Sequence, residues 1–159
     1  MEKGRELIDR VERAVREVRD HGRLLQAVVR AIHESSDRYD WTGIYLLQGE
    51  ELVLRTYLGP PSPHERIPIG KGICGAAARE QRTIIVPDVQ QDDRYLACSL
   101  ETRSEMVVPI FRNGQVIGEI DIDSNTPDRF GDCDRQAIET VAGLITARLP
   151  GSAGKGEQE

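Results

Sequence analysis

The sequence predicts an α+β fold in which an antiparallel sheet of five or six strands carries helices at its N- and C-terminal ends on one face. The other face is left for loops and a small-molecule pocket. Three observations carry this expectation. Helical periodicity occupies both ends of the chain, a period of two runs through the middle, and Asn113-Gly114 sits between two alternating segments as a hairpin turn.

From Glu6 to about Ser35 apolar residues fall at Ile8, Val11, Val15, Val18, Leu25, Val29 and Ile32, a three-four spacing that Leu7, Leu24 and Val28 widen. Asp20-His21-Gly22 is the point where this segment kinks or splits, because glycine is a poor helix former and aspartate often caps. The helix either packs only on its own domain or also builds, with the C-terminal helix, the bundle of a homodimer. Beyond Asp40, Trp41 to Leu47 and Glu51 to Leu58 read as a hairpin turning at Gln48-Gly49-Glu50. Pro60-Pro61-Ser62-Pro63 then forces a loop. A short alanine-rich helix is expected from Ile73 to Gln81, a strand from Thr83 to Val86, and a loop from Gln90 to Thr102. Glu105 to Phe111 and Gln115 to Ser124 form the second hairpin. A helix capped by Asp132 runs to about Leu149. The expected organisation is a helical segment over 1–38, a domain core with its C-terminal helix over 39–149, and a disordered tail over 150–159.

Composition narrows the function classes. A chain of 159 residues, 38% hydrophobic and 30% charged, can bury a core of its own. Its formal charge of −6 argues against a nucleic-acid partner, which selects basic surfaces. No apolar run suggests a spanning helix, and Met1-Glu2-Lys3-Gly4-Arg5 leads into charged sequence and not into a signal peptide. The expectation is a cytoplasmic protein with no membrane contact. Three cysteines, an odd number, then read as free or catalytic thiols.

Cys74 follows Gly70-Lys71-Gly72 in the first turn of the short helix. The helix dipole and Lys71 both favour a reactive thiolate there. The alternative is a small buried apolar residue beside Ala76, Ala77 and Ala78. Cys98 lies in the polar loop, where reactive groups are commonly placed; Cys133, between Asp132 and Asp134, is expected to be inert. Strand alternation puts Glu119, Asp121 and Asp123 on one face. On a pocket face such acids are costly unless they bind something. A two-residue Asn113-Gly114 turn places Glu105 opposite Ile122, whereas a three-residue loop places it opposite Asp121. Only the second brings Glu105 into the carboxylate cluster. Trp41 and Tyr45, two of seven aromatic residues, share a strand face with Gly43 between them. Such a wall suits a cationic or sulfur-containing ligand. No metal site and no cofactor is expected.

Several blocks in order resemble the free methionine-(R)-sulfoxide reductase branch of the GAF domains. They are Asp40-Trp41-Thr42-Gly43-Ile44-Tyr45, Gly70-Lys71-Gly72-Ile73-Cys74-Gly75, Val86-Pro87-Asp88-Val89, Ala97-Cys98, Ser104-Glu105-Met106-Val107-Val108-Pro109-Ile110 and Asp121-Ile122-Asp123-Ser124. The resemblance implies a GAF-like sheet and thiol-dependent reduction of free methionine sulfoxide through a cysteine sulfenic acid and a disulfide. It places Trp41 and Tyr45 around the methyl sulfoxide, with Leu96 and Ala97 lining the site through their backbone. Glu105, Asp121 and Asp123 bind the amino acid and the sulfoxide oxygen, one of them donating a proton. Cys98 is the nucleophile in preference to Cys74, which is left as disulfide partner, and a thioredoxin-type donor is the reductant.

Three positions depart from that pattern: His64 stands where the family usually has a cysteine ten positions before Cys74, Ser99 replaces an aspartate, and Glu119 replaces a small apolar residue. The rival reading is a non-catalytic GAF sensor that binds another small ligand and signals through a partner. Asn125-Thr126, Phe130 and Asp134-Arg135 match the cyclic-nucleotide signature only in part, lacking its lysine and glutamate.

Overall fold

A computed structural model describes residues 2–96 and 101–150. Residues 151–159 of the expected 150–159 tail, and Ala97 and Cys98, lie outside the described residues. The N-terminal periodicity resolves into two helices, α1 (Glu2–Glu17) and α2 (His21–Glu34). The split falls at the capping sequence: the Asp20 side chain accepts a hydrogen bond from the Arg23 N–H at 2.9 Å and restarts the helix.

Strands β1 (Trp41–Gln48) and β2 (Glu51–Leu58) pair antiparallel, and β3 (Arg66–Pro68) adds to the free side of β2. No sequence pattern announces β3, because three residues after a proline-rich loop are too short to show a period. Helix α3 (Gly72–Glu80) and β4 (Ile84–Val86) lead to the long hairpin β5 (Ser104–Arg112) and β6 (Gln115–Ser124). Helix α4 (Asp132–Ile145) closes the fold. Its N-cap is Gly131 and not the expected Asp132. The Asp134 carboxylate reaches back to the Gly131 N–H at 2.9 Å and supplies the capping interaction from within the helix.

The six strands run in the order β3-β2-β1-β6-β5-β4, every neighbouring pair antiparallel. One face is closed by α1, α2 and α4. Leu7, Val11, Leu25, Val29, Ile138, Val141 and Ile145 meet Ile44, Met106, Val108, Ile120 and Ile122 in one apolar cluster. On α1 the buried line runs through Leu7 and Val11, while Ile8 and Val15, and Val18 just beyond the helix, are only partly covered. The opposite face carries α3 and a second cluster that includes Trp41, Tyr45, Ile67, Ile73, Cys74 and Val107.

The long hairpin has the two-residue turn. Asn113 and Gly114 both have positive φ, 53° and 78°, and Arg112 pairs with Gln115. That turn alone would have set Glu105 against Ile122. A bulge intervenes: Phe111 pairs with Val116, but Ile110 pairs with Gly118, so Ile117 is an extra residue on β6. The ladder beyond it is shifted by one, and Glu105 pairs with Asp123. Neither register drawn from the turn holds, yet Glu105 does share a face with Asp121 and Asp123. The same bulge moves Val116 to the α3 side and Ile117 to the helix side.

Candidate functional site

The site is built by three adjacent strands and the start of α3. On β1, Trp41, Gly43 and Tyr45 pair with Asp123, Asp121 and Glu119 of β6. On β5, Glu105 and Val107 pair with Asp123 and Asp121. Four carboxyl groups, Glu105, Glu119, Asp121 and Asp123, therefore stand on one face in neighbouring rungs. None is more than 5% exposed. Gly43 is required between the aromatics, since a Cβ there would lie 2.4 Å from the Trp41 ring.

The aromatic pair divides its work. Trp41 stacks on Tyr57 with ring centroids 5.5 Å apart and donates its indole N–H to the Pro60 carbonyl at 2.9 Å. The Tyr45 hydroxyl donates to the His64 carbonyl at 3.0 Å. Both polar tips thus hold the proline-rich loop against the sheet. A cavity of about 20 Å³ lies beneath it, walled by Tyr45, His64, Cys74, Leu96, Glu105 and Asp121 among others. Trp41 and Asp123 are on the same face without forming part of that wall. His64, Ile67, Gly72 and Ile73 also line it. Sequence reasoning missed their part because the contact comes from the path of a long loop; His64 was legible only as a departure from the family pattern.

Cys74 points into the sheet and donates its thiol proton to Asp121 Oδ2 at 3.4 Å. The expected low thiol pKa is not found. Burial pushes it well above the ordinary value, and the charges of Asp121, Glu119, Glu105 and Asp123 push it further. The dipole is worth about 1 kcal/mol, less than one pKa unit, whereas full burial shifts a group by up to about 3–5 units. Lys71, the other expected helper, is exposed to solvent. As it stands, Cys74 is a protonated thiol and a weak nucleophile.

Burial also raises the pKa of Asp121, Asp123 and Glu119, and the charge of Asp121 adds to the shift of the last two. Glu105 shares hydrogen bonds with Asp121 and Asp123, which requires a proton held between carboxyl groups. The one proton of Cys74 goes to Asp121. Glu119 therefore gains no hydrogen bond from that sulfur, and neither of its oxygens has a partner. Asp121 Oδ1 and Asp123 Oδ1 are also buried without partners. The arrangement can donate protons, hold a cation, or do both. Cys74 Sγ and one oxygen each of Glu105 and Asp121 lie within 4.8 Å of one another, close enough to share a metal ion. Cys133 is exposed, at the start of α4. No helix among the described residues is long and apolar enough to cross a membrane.

Residues 9–149 match the model of the GAF domain family. The chain is 36% identical to the GAF domain-containing protein A of Dictyostelium discoideum over 75% of each chain. It is also 36% identical to the free methionine-R-sulfoxide reductase of Escherichia coli, over 72% of this chain and 68% of that one. Among solved structures, the free methionine-R-sulfoxide reductase of Neisseria meningitidis in complex with its substrate superposes with a TM-score of 0.86 at 33% identity, covering 91% of this chain and 87% of that one. With sheet order, helix placement and sequence in agreement, the chain belongs to the GAF domain family and, within it, resembles the free methionine-R-sulfoxide reductases.

Proposed function

We propose that the protein reduces free L-methionine-(R)-S-oxide to methionine, using cysteine thiols as the source of electrons. The observation that carries this reading is the set of buried carboxyl oxygens without partners, Asp121 Oδ1 and Asp123 Oδ1, on a face that also bears Tyr45 and Cys74. A fold does not retain such groups for stability, since each costs about 1–3 kcal/mol. A free amino acid offers what they lack. Its ammonium group donates hydrogen bonds to carboxylates, and its sulfoxide oxygen accepts a proton from a carboxyl whose pKa burial has raised.

In the proposed cycle Cys98 attacks the sulfoxide sulfur. Oxygen passes to the cysteine as a sulfenic acid, a carboxyl group supplies the proton, and methionine leaves. The Cys74 thiol then displaces that oxygen as water and forms a disulfide, which an external dithiol of the thioredoxin class reduces. The raised Cys74 pKa supports this division of roles, because a protonated thiol is a poor first attacker. Asp121, hydrogen-bonded to it, can take its proton at the second step. The cavity of about 20 Å³ holds little more than a water molecule, so admitting an amino acid requires the Leu96 wall to yield. We extend the reading to a homodimer through the terminal helices, checked by sedimentation of the purified chain.

The test is turnover of the two sulfoxide epimers with a small dithiol. Release of methionine from the (R) epimer alone is expected, none with Cys98→Ser, and a single turnover with Cys74→Ser. Tight binding of an amino acid without turnover by the wild type would instead support a sensor.

A further inference from the structure

Glu119 has no part in the cycle above, and its position is costly. It is completely buried, neither oxygen has a hydrogen-bond partner, and it lies against the Cys74 sulfur. Around that sulfur, Glu105 and Asp121 each bring an oxygen to within 4.8 Å of the others, and Asp121 keeps Oδ1 unpaired. The adjoining cavity of about 20 Å³, walled by Cys74, Glu105 and Asp121, exceeds the roughly 10–15 Å³ that a single water-sized occupant needs.

We propose that Cys74, Glu105 and Asp121 form a binding site for one divalent cation of the zinc class on the floor of the pocket, with the buried, unpaired Glu119 as an anionic neighbour. One sulfur and two carboxyl oxygens supply three protein ligands, and a water takes the fourth position of the four-coordination that zinc prefers. The thiolate selects against magnesium and calcium, which take oxygen ligands alone. The cation also eases the electrostatics, since its two positive charges offset two of the three negative charges of the ligand set, a cluster that otherwise must hold protons. As the metal–sulfur bond forms, the thiol proton leaves to solvent. The bound state holds Cys74 as a metal thiolate, closed to disulfide formation, and fills the space a ligand would enter. The site stands whether or not the chain is a reductase.

The test uses the full chain, reduced with a phosphine and freed of metal. Zinc chloride alone is titrated in competition with a chromophoric chelator, and cobalt(II) chloride alone is followed through its sulfur-to-metal absorption. One equivalent is expected to bind. The cobalt–sulfur band should vanish in Cys74→Ser, and zinc affinity should fall about tenfold or more in Glu105→Gln and Asp121→Asn. Both substitutions are close in shape, and circular dichroism confirms the fold. Cys133→Ser, exposed at the start of α4, should bind as the wild type does. No saturable binding to the wild type would overturn the proposal. So would an unchanged band in Cys74→Ser, or a band lost only in Cys98→Ser or Cys133→Ser, because the metal would then sit elsewhere.

Discussion

The two faces of the sheet take alternate residues from the same strands, and they are built to opposite rules. On β6, Ile120 and Ile122 point into the helix layer, while Glu119, Asp121 and Asp123 point beneath α3. All five are buried, yet one set is satisfied by contact with other carbon and the other keeps unpaired oxygens. The helix-covered face therefore holds the molecule together, and the α3 face draws on that stability to keep acids dry. The bulge at Ile117 allows this separation, since without it the register would set Glu105 against Ile122.

The largest effect should come from Asp121→Asn. The change keeps the shape, leaves the helix layer untouched and removes both the charge and the exchangeable proton. Reductase turnover with a small dithiol should drop by two orders of magnitude or more, about the loss typical for a positioned acid, with the melting temperature nearly unchanged. A variant that keeps more than a tenth of wild-type turnover would show that the carboxyl supplies neither charge nor proton.

Adjacent residues of β6 give the sharpest contrast in stability. Ile120→Ala opens a hole in the helix-side cluster and should cost about 2–5 kcal/mol in denaturant unfolding. Glu119→Met fills a similar volume without a carboxyl and should stabilise the metal-free protein by about 1–3 kcal/mol. Opposite signs at neighbouring positions would express the rule of the two faces directly. Destabilisation by both would mean that Glu119 has a partner that the fold requires.

The same acids set a pH dependence. Glu119, Asp121 and Asp123 have folded pKa values raised by burial, so the folded chain binds more protons than the unfolded one. Their contribution to stability is full below the unfolded values, near the ordinary 3.8 and 4.5, and is lost as pH rises through the interval up to the folded values. The slope is about 1.4 kcal/mol per pH unit for each proton held only in the folded state. Unfolding curves from pH 5 to pH 8 should show falling stability, and Glu119→Met should flatten the fall. A rise over that range in the wild type would contradict the buried-acid account.

The helix face was the more legible of the two. Its apolar positions repeat over several turns, so an error of one residue at Ile8 against Leu7 costs nothing in the architecture. Strand alternation likewise gave Glu119, Asp121 and Asp123 a common face. The position of Glu105 rested on one turn and one bulge; the turn residues Asn113-Gly114 show in the sequence, while Ile117 carries no mark of an extra residue. The Cys74 environment was misjudged for a similar reason. Helix position and Lys71 are local and visible, but the carboxyl groups that outweigh them arrive from strands about thirty to fifty residues away. His64 and Ile67 enter the site only because two aromatic tips tie a loop down, a contact that no periodicity announces.

The smallest expected effect tests whether the two faces are energetically separate. Asp20 caps α2 through the Arg23 N–H, in the helix layer and outside the acidic site. Asp20→Ala leaves that donor without its side-chain partner at a surface position where water partly replaces it, so the loss should be about 1 kcal/mol. The helix layer buries Leu24, Leu25, Val28 and Val29 of α2 against the sheet, and those contacts survive the loss of a cap. The stability changes of Asp20→Ala and Glu119→Met should therefore add in the double variant to within about 0.5 kcal/mol, as for sites with no shared partners. Cobalt binding and sulfoxide turnover should be unchanged by Asp20→Ala. A coupling of 1 kcal/mol or more would mean that α2 and the acid cluster respond to one another through β1, whose residues face both layers, and the faces would then be one cooperative unit.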